Sequence, residues 1–171
     1  MRRRATRTIL VVDDSRINLG LLSRQFGSLG YLVVLADSGS QALELISARG
    51  FDLVLLDRGV SEHSGLHVLQ EIRSARDTAD LPLIVLAGQS DPLGPVAAFS
   101  AGADDYLSRP FDFEVLAARV ERVLARADRI DELKRSNLAL DARIAARAIE
   151  LGEARAELAA AKAERVRLAA A

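Results

Sequence analysis

At 171 residues, 50% of them hydrophobic, the chain has room for one packed domain of roughly 100–150 residues and an appendage. Its net charge of -1 gives no global attraction to nucleic acid or to an anionic membrane, and the absence of cysteine excludes disulfides and thiolate metal sites. No apolar run is long enough to span a bilayer and no secretory signal follows Arg2-Arg3-Arg4, so the expectation is a soluble, cytoplasmic protein with no membrane and no nucleic-acid partner.

The first run, Thr8 to Val12, is apolar and short, the pattern of a strand buried on both faces, and it ends in Asp13-Asp14. Ser15 reads as a helix N-cap, followed by Ile17, Leu21, Leu22 and Phe26 at helical spacing, with Gly27 and Gly30 closing the helix. Tyr31 to Ala36 is a second strand. Ser38 or Ser40 opens a second helix carrying Ala42, Leu43, Leu45 and Ile46, and Gly50 ends it. Residues 52–57 form the third strand, 58–65 a polar loop and 66–75 the third helix. Pro82 leads into the strand Leu83 to Ala87, where a proline is tolerated as the first residue. Pro92 and Pro95 restrict the next helix to a short one ending near Gly102. Asp104 to Leu107 is a fifth strand and Ser108 to Phe111 a tight turn, and from Asp112 a helical pattern runs on without a break. Alternating strands and helices with short connections predict an α/β fold: a flavodoxin-like, doubly wound, five-stranded parallel sheet of order 2-1-3-4-5.

Asp57 ends the run Leu53-Val54-Leu55-Leu56, and ligands of such sheets gather at the carboxyl ends of the strands. Taken alone, such an Asp is more simply a strand-terminating residue that caps the next turn. The predicted switch point, however, lies between the strands ending at Asp13 and Asp57, so three carboxylates share one crevice. At about 4 Å and an effective dielectric near 20, each pair repels by roughly 4 kcal/mol. Either their pKa values rise or a cation sits among them, and oxygen-only ligands point to Mg²⁺ or a similar hard ion. A carboxylate beside such an ion is a competent phosphoryl acceptor.

The segments Ile9 to Ser15, Phe51 to Asp57 with Gly65 beyond, and Gly102 to Leu107 before Arg109-Pro110-Phe111 closely resemble the receiver domain of two-component response regulators over roughly 1–127. The resemblance implies that a histidine kinase or phosphotransfer protein phosphorylates Asp57. It implies that Asp14 and Asp57 bind Mg²⁺, Asp13 acting through water, with the backbone carbonyl of Gly59 contributing. The chain departs from the family where a Thr or Ser hydroxyl and a lysine are usual: Ala87 and Arg109 stand there. Ser61 replaces a usual proline, and Arg58 a usual apolar residue. Ala87 offers no hydroxyl, which implies altered switching through the aromatic Tyr106. Arg109 keeps the charge but not the ammonium geometry. His63 and His67 have an i,i+4 spacing but no evident third ligand, and read as a solvated face. Ser61 and Ser64 read as turn residues, and Asp104-Asp105 as an acidic surface turn.

Residues 112–171 contain no proline. Leu116, Val123, Ile130, Asn137, Ile144, Leu151 and Leu158 recur at sevens, with Leu133, Leu140, Arg147, Ala154, Ala161 and Leu168 in the paired positions. The expectation is one helix from about 111 to about 168, and a parallel homodimer through 116–168 in which Asn137 meets Asn137. The boundaries are 1–127 for the receiver domain and 128–171 for the coiled coil. A single helix packed on its own domain is the plainer alternative. Three functional readings follow: a signalling module that passes phosphorylation of Asp57 to the coil and on to a downstream protein or a missing effector domain; a phosphorylation-independent dimeric scaffold; and a phosphatase-like enzyme, disfavoured because no second catalytic acid is evident.

Overall fold

A computed structural model describes residues 6–60, 64–88 and 94–171; the basic start at Arg2 to Arg4, and Ser61, His63 and Pro92, lie outside the described residues. The strands are β1 (Thr8–Val12), β2 (Leu32–Ala36), β3 (Leu53–Asp57), β4 (Leu83–Ala87) and β5 (Asp105–Ser108). The helices are α1 (Arg16–Ser28), α2 (Gly39–Ala48), α3 (Gly65–Ser74), α4 (Gly94–Ser100) and α5 (Phe113–Ala169). All sheet pairings are parallel, in the order β2-β1-β3-β4-β5, as the alternation predicts.

Alternate side chains of the inner strands point to opposite faces, and each face has its own core. Ile9, Val11, Leu53, Leu55, Ile84 and Leu86 pack with α1 and α5 residues. Leu10, Val12, Val54, Leu56, Leu83 and Val85 pack against the α2, α3 and α4 side. All twelve are essentially inaccessible to solvent. Each contributes about 1.5–3 kcal/mol, so burial on both faces is why these strands read as unbroken apolar runs.

Several expectations need correction. The buried stripe of α1 is Leu19, Leu22 and Phe26, while Ile17 and Leu21 are 83% and 51% exposed. Two overlapping apolar stripes lie on that helix, and only one faces the sheet. Gly27 lies inside α1; the left-handed residue beyond the helix is Gly30, at φ 88°. Ser38 caps α2, and Ser64 is the N-cap of α3, accepting the N–H of His67 at 3.4 Å. Strand β5 begins one residue later than the sequence suggests, after Asp104, whose N–H donates to Leu83 O at 2.9 Å. Its side chain accepts the N–H of Leu83 at 2.9 Å and the Nη2 of Arg73 at 3.1 Å. Asp105 is not a surface residue: it is 4% exposed.

The chain divides into two compact units, Met1–Ala127 and Asp128–Ala171. In the first, Leu116, Val120, Val123 and Leu124 of α5 are buried in the core. Leu116 and Val123 are therefore not free for an intermolecular seam, and the available heptad positions start at Ile130. In the second unit every residue is exposed, including Ile130, Leu133, Leu140, Ile144, Leu151, Leu158 and Leu168.

Candidate functional site

Register builds the site. Val12 of β1 pairs with Leu56 of β3, so Asp13 and Asp57 emerge side by side at the carboxyl ends of neighbouring strands. Leu53, Leu55 and Asp57 share one parity, which aims Asp57 toward the α1 and α5 side of the sheet. Asp13 is 2% and Asp57 7% exposed, while Asp14 is exposed. Each of the three offers a carboxylate oxygen, and these oxygens lie within 4.8 Å of one another. The set is one of hard oxygen donors only, so it fits a hard divalent ion.

The Asp13 carboxylate accepts the N–H of Ser15 at 2.8 Å and the amide Nδ2 of Asn18 at 3.0 and 3.3 Å. Asp57 Oδ2 accepts the N–H of Gly59 at 2.8 Å. Between the two carboxylates lies Arg109: Nη2 donates to Asp13 Oδ2 at 2.7 Å, and Nη1 donates to Asp57 Oδ1. Burial pushes the Asp57 carboxyl above its ordinary range; the hydrogen bond and charge of Arg109 pull it partly back, and Asp13 pushes it up further.

The β5–α5 connection supplies this arginine. Its backbone N–H donates to Ala87 O at 2.7 Å, extending the β4–β5 ladder past Ser108, and the Arg109–Pro110 peptide is cis. The Phe111 ring centroid lies 5.9 Å from the guanidinium carbon, a cation–π distance. On the other side, Gly65 packs the start of α3 against the end of β3. A Cβ there would lie 2.6 Å from the Asp57 carbonyl oxygen and 2.8 Å from Arg58 Cα, so only glycine fits.

The structure brings Asp13, Asp14, Asp57, Gly59 and Arg109 together. Ala87 ends β4 beside Ser108 and presents only a methyl group. Tyr106, paired with Val85, is half-buried against the core on the α2, α3 and α4 side. For Gly59 the recorded contact is its N–H, not its carbonyl. His67 Nε2 lies 4.0 Å from Glu71 on α3, and His63 lies outside the described residues. Sequence reasoning overlooked Asn18. The available signal was an amide one turn past the Ser15 cap, on the helix that leaves Asp13.

A 2-1-3-4-5 parallel sheet with an acidic cluster at its switch point and a basic residue entering from the β5 loop defines the receiver class of α/β signalling proteins. The chain belongs to the response regulator receiver domain family of two-component systems, whose family model matches residues 9–121. It is 43% identical over 118 residues to the response regulator MprA of Mycolicibacterium vanbaalenii, covering 69% of this chain and 50% of that protein. It is 39% identical over 123 residues to the transcriptional regulatory protein ZraR of Escherichia coli, covering 72% of this chain and 27% of that protein. Among solved structures, the receiver domain of a signal transduction histidine kinase from Syntrophus aciditrophicus superposes with a TM-score of 0.66 at 29% identity, covering 70% of this chain and 91% of that one. The chain thus spans about half the length of its MprA relatives. Receiver domains bind Mg²⁺ at an acidic cluster of this kind, and response regulators work with histidine kinases. No helix among the described residues is long and apolar enough to cross a membrane.

Proposed function

We propose that Asp57 accepts a phosphoryl group from a histidine kinase or phosphotransfer protein, and that a dimeric coiled coil formed by residues 128–171 carries the change to a downstream partner or effector domain. The observation that carries this reading is the buried Asp57 carboxylate flanked by Asp13, Asp14 and Arg109. A carboxylate oxygen of Asp57 attacks phosphorus, the P–N bond to the donor imidazole breaks, and the imidazole nitrogen leaves with the electron pair and takes up a proton. Gly59 and Arg109 hold the two carboxylate oxygens and so orient the nucleophile. Asp13, Asp14 and Asp57, with the Gly59 carbonyl, would hold Mg²⁺, which when bound offsets the charge of the transferring group. Incubation with Mg²⁺ and acetyl phosphate tests the reading. It should give a label that is acid-stable relative to its alkali lability, as for an acyl phosphate, and that Asp57→Asn abolishes; a label that survives Asp57→Asn refutes the assignment.

For the coil, the support is the exposed apolar series at heptad positions from Ile130 to Leu168. Asn137 lies within it and favours a parallel pair, where two asparagines can hydrogen-bond across the axis. Glu150 with Arg155 and Glu157 with Lys162 supply flanking attraction. A second reading, the phosphorylation-independent scaffold, is favoured by Ala87, which leaves a bound phosphoryl oxygen without a hydroxyl to engage Tyr106. It predicts normal dimerisation with no labelling of Asp57. ZraR is a transcriptional regulatory protein by name and extends well beyond the matched segment, so the expectation of no nucleic-acid contact applies to the residues of this chain alone.

A further inference from the structure

We propose that the 128–171 helix carries a second association face, on which the same helix of another parallel pair packs antiparallel. The pair itself rests on the coil reading above; the opposite side of the helix does not enter that reading. Leu138, Ile149 and Val166 are 70%, 64% and 69% exposed, and none of them falls on an a or d position of the heptad. They share one phase, recurring at steps of three and four residues, the pattern of a helix–helix seam. Every residue at that phase between them is Ala or Gly, from Ala142 to Ala163, and all are exposed. The face lies about 150° round the helix from the a and d seam, so a parallel pair leaves it on the outside.

Size and charge select a second copy as the occupant. Laid antiparallel, Leu138 meets Ala163, Ile149 meets Gly152 and Ala145 meets Ala156, so each large side chain faces a small one. Val166 lies beside the aliphatic stem of Arg135. On the flanks Asp141 faces Lys162 and Glu132 faces Arg167, each twice by symmetry, and no like charges meet. Arg167 donates to Glu164 at 2.9 Å along its own helix and keeps further N–H donors. Sliding by one heptad one way sets Lys134 against Lys162; sliding the other way sets Arg155 against Arg155 and Glu153 against Glu153. A parallel contact through this face puts Gly152 on Gly152, which leaves a gap, and Lys162 against Arg167. Gly152 weakens a lone helix, but a Cβ there has open space around it, and in the antiparallel register Ile149 of the other copy fills that space. Small residues let two helices approach to ~8 Å, the short end of interaxial distances. They also bury less apolar area than the a and d seam, so pairs form first and join at higher protein concentration.

The test is sedimentation equilibrium of the full chain from micromolar to millimolar concentration, wild type against Ala145→Glu with Ala156→Glu. Both alanines are exposed and Glu is a good helix former, so the helix persists, which circular dichroism checks. Wild type should pass from two chains to larger species as concentration rises. The variant should stop at two chains, its second-step dissociation constant raised roughly a hundredfold or more, because carboxylates from both copies would be buried against alanine. Orientation is read by oxidation at the higher concentration. An equimolar mixture of Leu138→Cys and Ala163→Cys chains should give a disulfide between the two variants, and neither variant alone should link. A wild type held at two chains at every concentration overturns the proposal and leaves the face to a different protein. So do larger species in the Glu variant at the wild-type concentrations, or a disulfide in Leu138→Cys alone. Failure of the a and d reading looks different: Leu140→Glu with Ile144→Glu would then leave the low-concentration pair intact while Ala145→Glu with Ala156→Glu removes it, and the antiparallel face would stand as the interface.

Discussion

Both carboxylate oxygens of Asp105 accept from Nη1 of Arg119, at 2.8 and 2.9 Å, joining the first residue of β5 to α5. Asp105 also accepts its neighbour's N–H, from Tyr106 at 2.9 Å, and Nη2 of Arg122 at 3.1 Å. The two arginines are unequal: the Arg119 side chain is 37% exposed and that of Arg122 70%. Arg119→Met should therefore cost about 1–3 kcal/mol, most of it from a buried carboxylate left short of partners. Arg122→Met should cost less, about 0.5–1 kcal/mol at most, as exposed pairs do. Urea denaturation of each, and of each combined with Asp105→Asn, measures the difference. Equal losses for the two arginines would show that burial of Asp105 does not set the energy.

Glycine is required sterically at Gly65 and not at Gly20. A Cβ at Gly65 meets backbone atoms of Asp57 and Arg58 at 2.6 and 2.8 Å, and backbone cannot step aside cheaply. Gly65→Ala should cost about 2–4 kcal/mol and shift the end of β3, weakening Mg²⁺ binding as well. Gly20 lies inside α1 with open space around it, so Gly20→Ala should stabilise by about 0.5–1 kcal/mol. Chemical denaturation of the two variants side by side checks the contrast.

The exposed heptad positions predict that Leu140→Glu with Ile144→Glu raises the dimer dissociation constant by roughly a hundredfold or more, since two apolar side chains per chain lose their cover. Light scattering across a concentration series would record it. Orientation has a clean test because the chain has no cysteine. In a parallel pair, Ile130→Cys should oxidise to a disulfide-linked dimer. An antiparallel pair would leave Ile130→Cys unlinked and would instead join cysteines introduced near 130 in one chain and near 165 in the other.

Burial raises the Asp57 carboxyl above its ordinary 3.8, so the folded state holds that proton more tightly than the unfolded chain does. The contribution of this proton to stability is fully present below 3.8 and is lost as pH rises through the raised value. Asp57→Asn does not titrate. In EDTA, its stability relative to wild type should therefore climb as pH rises through that window and then level off. Melting curves from pH 3 to 8 decide the matter; an advantage that grows as pH falls would contradict it.

Most of the framework was legible in the order of residues. The inner strands announce themselves because helices cover both faces, which demands apolar side chains at every position, and Asp13 and Asp57 stand out as the charges that end such runs. Alternation of strand and helix then leaves few topologies, and the acidic cluster follows from the strand order. What escaped is what depends on contact. On α1, Ile17 and Leu21 cannot be told from Leu19, Leu22 and Phe26 by spacing alone, because periodicity defines a stripe and not the surface that covers it. For the same reason Leu116 and Val123 share a seven-residue phase with Ile130 yet lie in the core. Asp105 looked like a surface turn because Arg119 and Arg122, its partners, lie on a different element. Arg109 could be read as a charge near the site, but not as a fork spanning Asp13 and Asp57, which are 96 and 52 positions away along the chain. Residue order therefore sufficed for the strands, their arrangement and the acidic residues at their ends, since those follow from burial and alternation. Which charges meet was decided by the folded molecule, because ion pairing depends on distances of a few ångströms between segments that local sequence does not relate.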